Sequence, residues 1–329
     1  MVANGSRGLS IRGLSVNYHT PRGIVRALRN VDLDVPPGSV VGVVGESGCG
    51  KSSLIGAIIS QLPDNARIAD GEIVFGEANL LKLASSDMRQ LMGDRISVVF
   101  QDPMTSLNPI RSIGRQMADL QYRTARGRAE KLEVAARMLR KVGISDPEHR
   151  LRQFPFQFSG GMRQRVSIAM ALMASPDLLI ADEPTTALDA TLEVQIVSLL
   201  RQLQQEIGCS ILFVSHHLGV VAELCDYVVV LYAGEVAEAG NVRDIFHNSR
   251  HPYTRRLLAC DPGLIETPSR RLPTIAGEIP NLVDIPLGCI FAPRCSAAYG
   301  HCFVQAPDSY QVGPGHRAVC HIAAETGRS

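Results

Sequence analysis

Residues 45–52 read Gly45-Glu46-Ser47-Gly48-Cys49-Gly50-Lys51-Ser52, with Ser53 following. This is a complete G-x-x-x-x-G-K-[ST] phosphate-binding loop. It is preceded by Ser39–Val44 (SVVGVV), an almost wholly apolar run of the kind a strand buried on both faces requires, and a helix is expected to follow it. Glycines let backbone N–H groups converge on phosphate oxygens where a side chain would block approach. The helix that starts near Lys51 turns its positive end toward the same anion. Lys51 is therefore expected to neutralise β/γ-phosphate charge, and Ser52 to offer its hydroxyl to Mg²⁺. Cys49 reads as a small space-filling residue; its place beside a helix N-terminus is nonetheless expected to lower its thiol pKa and open it to alkylation, with bound ATP protecting it.

Working outward, apolar residues recur at Leu9, Ile11, Leu14, Val16 and Tyr18, then at Val31, Leu33 and Val35, predicting strands of an antiparallel sheet. Further strands are predicted at Ile73–Phe75, Ile96–Phe100, Leu178–Ala181, Ser210–Ser215 and Tyr227–Leu231, and helices at Met162–Ala174 and Leu192–Ile207. The alternation implies an α/β fold with a mainly parallel sheet and crossover helices. An α-helical insertion over about 102–158 interrupts it. Residues 1–244 then form a nucleotide-binding domain, and 245–329 a small, irregular, Cys-rich C-terminal module without clear periodicity.

An acidic element complements the phosphate loop. The apolar run Leu178-Leu-Ile-Ala delivers Asp182 at a strand's C-terminal end, where α/β sheets place ligands. Asp182 can hold Mg²⁺ through its water shell, and Glu183 can polarise an attacking water. Phe158-Ser159-Gly160-Gly161-Met162-Arg163-Gln164-Arg165 supplies another Ser/Gly helix start, hence a second anion-binding tip on the same chain.

With that segment the sequence resembles the ATP-binding subunits of ABC transporters. The resemblance implies that Ser159, Gly160 and Gly161 close over ATP held by the P-loop of a second subunit. It assigns Gln101 to the glutamine that senses γ-phosphate and Mg²⁺, Ala187-Leu188-Asp189 to the dimer interface, and His216 to the switch histidine. Tyr18 takes the place of the aromatic that stacks on adenine. Phe158 stands where the family usually has Leu, Met162 where Gln is common, and His217 where Asp is usual. ATP and Mg²⁺ are the implied ligands, with Glu183, His216 and Gln101 as the catalytic set.

Gln101-Asp-Pro-Met-Thr-Ser-Leu-Asn-Pro109 and His251-Pro-Tyr-Thr254 look like the oligopeptide/dipeptide importer branch. That branch implies a similar or identical second ATPase, two membrane permeases and an extracytoplasmic solute-binding protein. Peptides are its usual cargo, while nickel, opines and oligosaccharides are carried by relatives. The segment Leu107–Gln116 is the expected permease contact. It begins a basic stretch with 13 Lys+Arg against 5 Asp+Glu between Arg111 and Arg165, which also reads as a solvated helical surface. Competing readings are a soluble ABC ATPase acting on DNA or ribosomes and a purely regulatory nucleotide-binding subunit. A net charge of +1 and the absence of Trp argue against a nucleic-acid partner.

No apolar run reaches the roughly 18 residues of a spanning helix, and the start MVANGSRGLS lacks a signal peptide's apolar segment. The expectation is a peripheral protein on the cytoplasmic face of the inner membrane. There, its 8 cysteines read as thiols or metal ligands before disulfides. Cys209, Cys225 and Cys260 read as ordinary residues. Cys289-x5-Cys295-x6-Cys302-x17-Cys320 lacks C-x-x-C knuckles, so its spacing fits either a soft-metal site or unligated thiols. Gly288-Cys-Ile-Phe-Ala-Pro-Arg-Cys295 resembles the segment of peptide-importer ATPases that carries a [4Fe–4S] cluster. That implies the cluster on these four cysteines, with Zn²⁺ as the alternative and His301, His316 or His321 as substitute ligands.

Overall fold

A computed structural model describes residues 7–186, 188–261 and 273–326; Ala187, part of the expected dimer-interface segment, lies outside the described residues. The strands are β1 (Leu9–Thr20), β2 (Gly23–Val35), β3 (Val40–Val44), β4 (Ala66–Phe75), β5 (Ala78–Asn79), β6 (Ile96–Val99), β7 (Leu178–Asp182), β8 (Ser210–Val214), β9 (Tyr227–Tyr232), β10 (Glu235–Asn241), β11 (Tyr310–Gly313) and β12 (His316–Ala318). They form two sheets, ordered β2-β1-β4-β5 and β11-β12-β10-β9-β3-β8-β7-β6. The first is antiparallel. In the second, β9, β3, β8, β7 and β6 run parallel.

All five residues of β3 are buried. Its side chains alternate between two cores, Val40 and Val44 on one face, Val41 and Val43 on the other. Leu179/Ala181 against Leu178/Ile180, and Ile211/Phe213 against Leu212/Val214, repeat the alternation in β7 and β8. At about 1.5–3 kcal/mol for each fully buried valine, the central strand is anchored from both sides. One core lies against the helices that cover that face. The other is closed by the antiparallel sheet and by the helix Lys51–Ile58.

Parallel register is what positions the site. Val99 pairs with Ala181, Asp182 with Val214, and Val43 with Val214, so neighbouring strands end together. The loops that leave those ends carry residues 45–50, Gln101, Glu183 and His216 to one carboxyl edge of the sheet.

Sequence-predicted elements shift at their ends. The strand expected at Ile73–Phe75 begins at Ala66, because Arg67–Glu72 is exposed throughout and shows no alternation to read. The helix expected from Met162 starts at Gly160, where Ser159 caps it, and ends at Leu172. That expected from Leu192 starts at Ala190, with Asp189 as its cap, and stops at Gly208 in the left-handed region (φ 74°). The insertion is helical over Pro103–Ser106, Ile113–Asp119, Arg128–Lys141 and Pro147–Arg150. The C-terminal region is not set apart: β12 pairs with β10 and extends the main sheet, while Tyr253, Ile290 and Phe291 join its core. Among the described residues no helix is long and apolar enough to cross a membrane.

Candidate functional site

The loop after β3 is shaped by backbone that only glycine tolerates. Gly45 has φ 155°, and a Cβ there would sit 2.2 Å from the Leu231 carbonyl oxygen; at Gly50 (φ 110°) it would sit 2.8 Å from that of Ala27. Gly50 caps the helix Lys51–Ile58 without a side-chain bond, and no acidic residue lies in its first turn. Its N–H groups and positive end are left for an anion. Lys51 is buried (7 % exposed). Its Nζ donates to the Gly45 carbonyl at 2.7 Å and to that of Glu46 at 3.4 Å, which folds the loop around the ammonium. Ser52 is exposed. Tyr18 reaches the same helix, its hydroxyl 3.0 Å from Ser53 Oγ.

Cys49 corrects an expectation. The thiol is 2 % exposed, and burial pushes its pKa up despite the neighbouring Lys51. Desolvation outweighs both the ammonium and the helix end, so Cys49 is not an activated thiol.

At the adjoining strand ends, three side chains meet one carboxylate oxygen. Glu183 Oε2 lies 3.2 Å from Gln101 Nε2 and 3.1 Å from His216 Nδ1, and it accepts the Thr186 hydroxyl at 2.9 Å. Glu183 itself has φ 45°, in the left-handed region. A conformation of this kind costs about 1–3 kcal/mol and persists only when its surroundings over-determine it. Here the Glu183 N–H bonds the Val214 carbonyl at 2.8 Å, and three polar groups hold the carboxylate. Burial, then the adjoining Glu183 charge, push Asp182 up to about 6, against the pull of Lys51. Oxygen donors beside two crowded carboxylates fit a hard divalent cation, which would relieve that repulsion.

Ser159 Oγ accepts the Met162 N–H at 3.3 Å. Ser159 and Gly160 are exposed, whereas Gly161 packs against Leu192. Phe158 is 2 % exposed and fills core space. Asp189 Oδ1 accepts the Leu192 N–H at 3.0 Å and is exposed. His217 sits edge-on to His216 and pairs with Glu193 Oε1 at 2.9 Å.

Sequence reasoning missed Thr186, although three residues after a strand-end glutamate is a simple place to seek a hydroxyl. It also missed the grip on Glu46 from the C-terminal half: Arg294 donates to both carboxylate oxygens, at 2.7 and 3.0 Å, and Tyr253 Oη accepts the Glu46 N–H at 3.0 Å.

In the expected permease-contact segment, Leu107, Ile113 and Gln116 are buried, and Ile110 is 83 % exposed. Phe100, Leu107, Leu120 and Tyr122 line a neighbouring cleft of about 510 Å³. Part of the basic surface is internally paired, as in Arg111–Asp119, Arg126–Glu130 and Arg140–Glu148.

Cys209 and Cys225 are buried and Cys260 is partly exposed. Of the four C-terminal cysteines, Cys302 and Cys320 are buried and Cys289 and Cys295 half-buried. Burial raises Cys289, to about 11, and also Cys295 and Cys320; the other thiols of the set add to each shift. They are neighbours, but among the described residues no group of three or more His, Cys, Asp or Glu side chains is arranged to hold a metal ion. A [4Fe–4S] or zinc cage on Cys289, Cys295, Cys302 and Cys320, or one completed by His301, His316 or His321, is thus not supported by the geometry. His316 is instead engaged with buried Glu238 at 2.8 Å.

Residues 28–186 match the family described as ABC transporter, and 237–302 match the oligopeptide/dipeptide transporter C-terminal region. The chain is 46% identical over 314 residues to a Sinorhizobium fredii protein named "Probable peptide ABC transporter ATP-binding protein y4tR", covering 95% of this chain and 94% of that one. It is 46% identical over 290 residues to the dipeptide transport ATP-binding protein DppD of Bacillus subtilis, covering 87% and 86%. Its fold is similar to the ATP-binding cassette MJ0796 in a dimeric post-hydrolysis state bound to ADP and Pi. That match has a TM-score of 0.64 and 28% identity, and covers 71% of this chain and 99% of the other.

Proposed function

The chain belongs to the ATP-binding subunits of ABC transporters, and from that premise we propose that it powers peptide import from the cytoplasmic face of a membrane. One observation carries the reading: Glu183, strained and held by Gln101, His216 and Thr186, stands beside a lysine-bearing phosphate cradle. The cradle of Gly45–Ser53 binds the triphosphate, and Tyr18 packs on adenine. Glu183 accepts a proton from the attacking water, while Gln101 and His216 orient that water and the γ-phosphate. Ser52, Gln101 and Asp182 would hold Mg²⁺, which when bound would neutralise phosphate charge.

Exposed Ser159 and Gly160 support a sandwich dimer, in which this tip and Asp189 engage nucleotide on a second, similar or identical ATPase. Exposed Ile110 and the apolar cleft beside it support docking of two membrane permeases, with a solute-binding protein on the far side. The peptide cargo is carried over from the relatives' names and from the matched C-terminal region.

Replacing Glu183 by Gln is expected to lower ATPase turnover about a hundredfold or more and to accumulate an ATP-bound dimer on size-exclusion chromatography. Normal turnover by that variant defeats the assignment.

For the four cysteines we propose thiolate ligation of a [4Fe–4S] cluster, with zinc as the alternative. Its support is the resemblance of Gly288–Cys295 to the cluster-bearing segment of peptide-importer ATPases, and not the arrangement of the described side chains. Absorption at about 400 nm in anaerobically purified protein is the expected sign. Colourless protein free of both iron and zinc removes the idea.

A further inference from the structure

The second residue of the phosphate-binding loop is a glutamate. A carboxylate in a loop built for a polyanion works against its ligand unless something neutralises it. The neutralising group comes from 248 residues downstream. Arg294 donates from both terminal nitrogens to the Glu46 carboxylate, and its side chain is 4 % exposed. Its remaining bonds fix the guanidinium: Nε to the Ala276 carbonyl at 3.1 Å, Nη2 to that of Ile275 at 3.1 Å, and Nη1 to the Tyr232 hydroxyl at 3.3 Å. The guanidinium carbon also lies 5.7 Å from the Tyr232 ring centroid. Pairing with Glu46 keeps the group charged.

A second contact reaches the same residue. Tyr253, wholly buried against Tyr232 and Phe291, accepts the Glu46 N–H. Lys51 donates to the Glu46 carbonyl from the opposite side. Glu46 is thus held at its carboxylate, its N–H and its C=O.

We infer that Arg294 is a positioning residue for nucleotide binding: it cancels the charge of Glu46 and fixes the loop, so that the C-terminal extension sets the ATP affinity of the cassette. The inference rests on reading Gly45–Ser53 as the ATP site. It goes beyond that reading by placing part of the site's affinity in a distant segment that touches no phosphate.

Isothermal titration of the full-length chain with ATP separates charge cancellation from mere packing. Arg294→Ala is expected to weaken ATP binding about tenfold, and Arg294→Lys, which keeps the charge, about threefold or less. Adding Glu46→Gln to Arg294→Ala is expected to restore affinity to within about threefold of the parent, since no uncancelled carboxylate then remains. A purely structural role predicts no such rescue. Affinity of Arg294→Ala within about twofold of the parent overturns the inference, as does a double variant no better than the single. If Arg294→Ala does not fold, Arg294→Gln, which keeps hydrogen-bonding groups but not the charge, carries the test: a loss of about tenfold supports the inference, and affinity within about twofold of the parent overturns it. A parent chain that binds no ATP, like a Lys51→Ala control, would sink the nucleotide reading and this inference with it. Normal binding with an indifferent Arg294 sinks this one alone.

Discussion

Two helix starts in this chain have similar chemistry and opposite situations. At Lys51 the loop is enclosed: a buried ammonium inside it, Leu231 and Ala27 carbonyls against its glycines, Arg294 and Tyr253 behind. At Gly160 the tip is bare, with Ser159 capping its own helix and open space around the glycine. On the proposed function, the difference teaches that the chain completes one anion site by itself and presents the other outward, as a subunit must if it works only when paired.

Lys51→Ala carries the largest expected effect. It should abolish ATP binding by the single chain as well as turnover, a loss of about a thousandfold or more, measured by titration and phosphate release. Retained affinity would mean that the enclosed site is not the one that binds.

Acid comes next. Burial holds His251, 3 % exposed, down to about 4, so between an unfolded value near 6.5 and about 4 the unfolded chain takes up a proton that the folded one refuses. Stability is then full above pH 6.5 and falls through that window, by about 3 kcal/mol. His251 caps the helix that carries Tyr253, so the support behind the enclosed site should loosen. Thermal melts from pH 7.5 to 4.5, with His251→Asn flattening the slope, check this.

A smaller effect sharpens the contrast from the other side. A Cβ added at Gly160 meets nothing within 4 Å, so Gly160→Asp should fold normally. It should leave single-chain ATP affinity unchanged and cut turnover of the assembled transporter about tenfold to a hundredfold, by opposing phosphate charge. Equal loss in both assays would erase the distinction between the two sites. Ser159→Ala, which removes one cap bond, should cost about 1 kcal/mol of stability, read as a small drop in melting temperature.

Much of this was legible because phosphate chemistry fixes residue types at short spacing. Gly45–Ser52, Asp182–Glu183 and Ser159–Gly161 announce themselves locally, and buried strands such as Val40–Val44 carry their own apolar signature. What escaped depends on chain-distant partners. At Cys49 a local rule, the helix end, is outweighed by burial that only the tertiary structure supplies, and the thiol serves as a space-filling residue. Arg294 lies between Cys289 and Cys295, and nothing in its sequence neighbours points to Glu46. Strands β11 and β12 have four and three residues, too few for a readable period, and exist through pairing, β12 with β10 and β11 with β12.

That pairing has a practical consequence. Glu238 on β10 is fully buried, and its carboxylate is satisfied by His316 of β12 and by the N–H groups of Arg250 and His251. A shortened version ending after β10 would strip away all three donors, strand a bare anion in an apolar interior, and open a sheet edge ready to recruit a stray chain. A chain cut directly after β10 is therefore expected to yield insoluble material, whereas one kept through Ala318 retains all three donors and the paired edge.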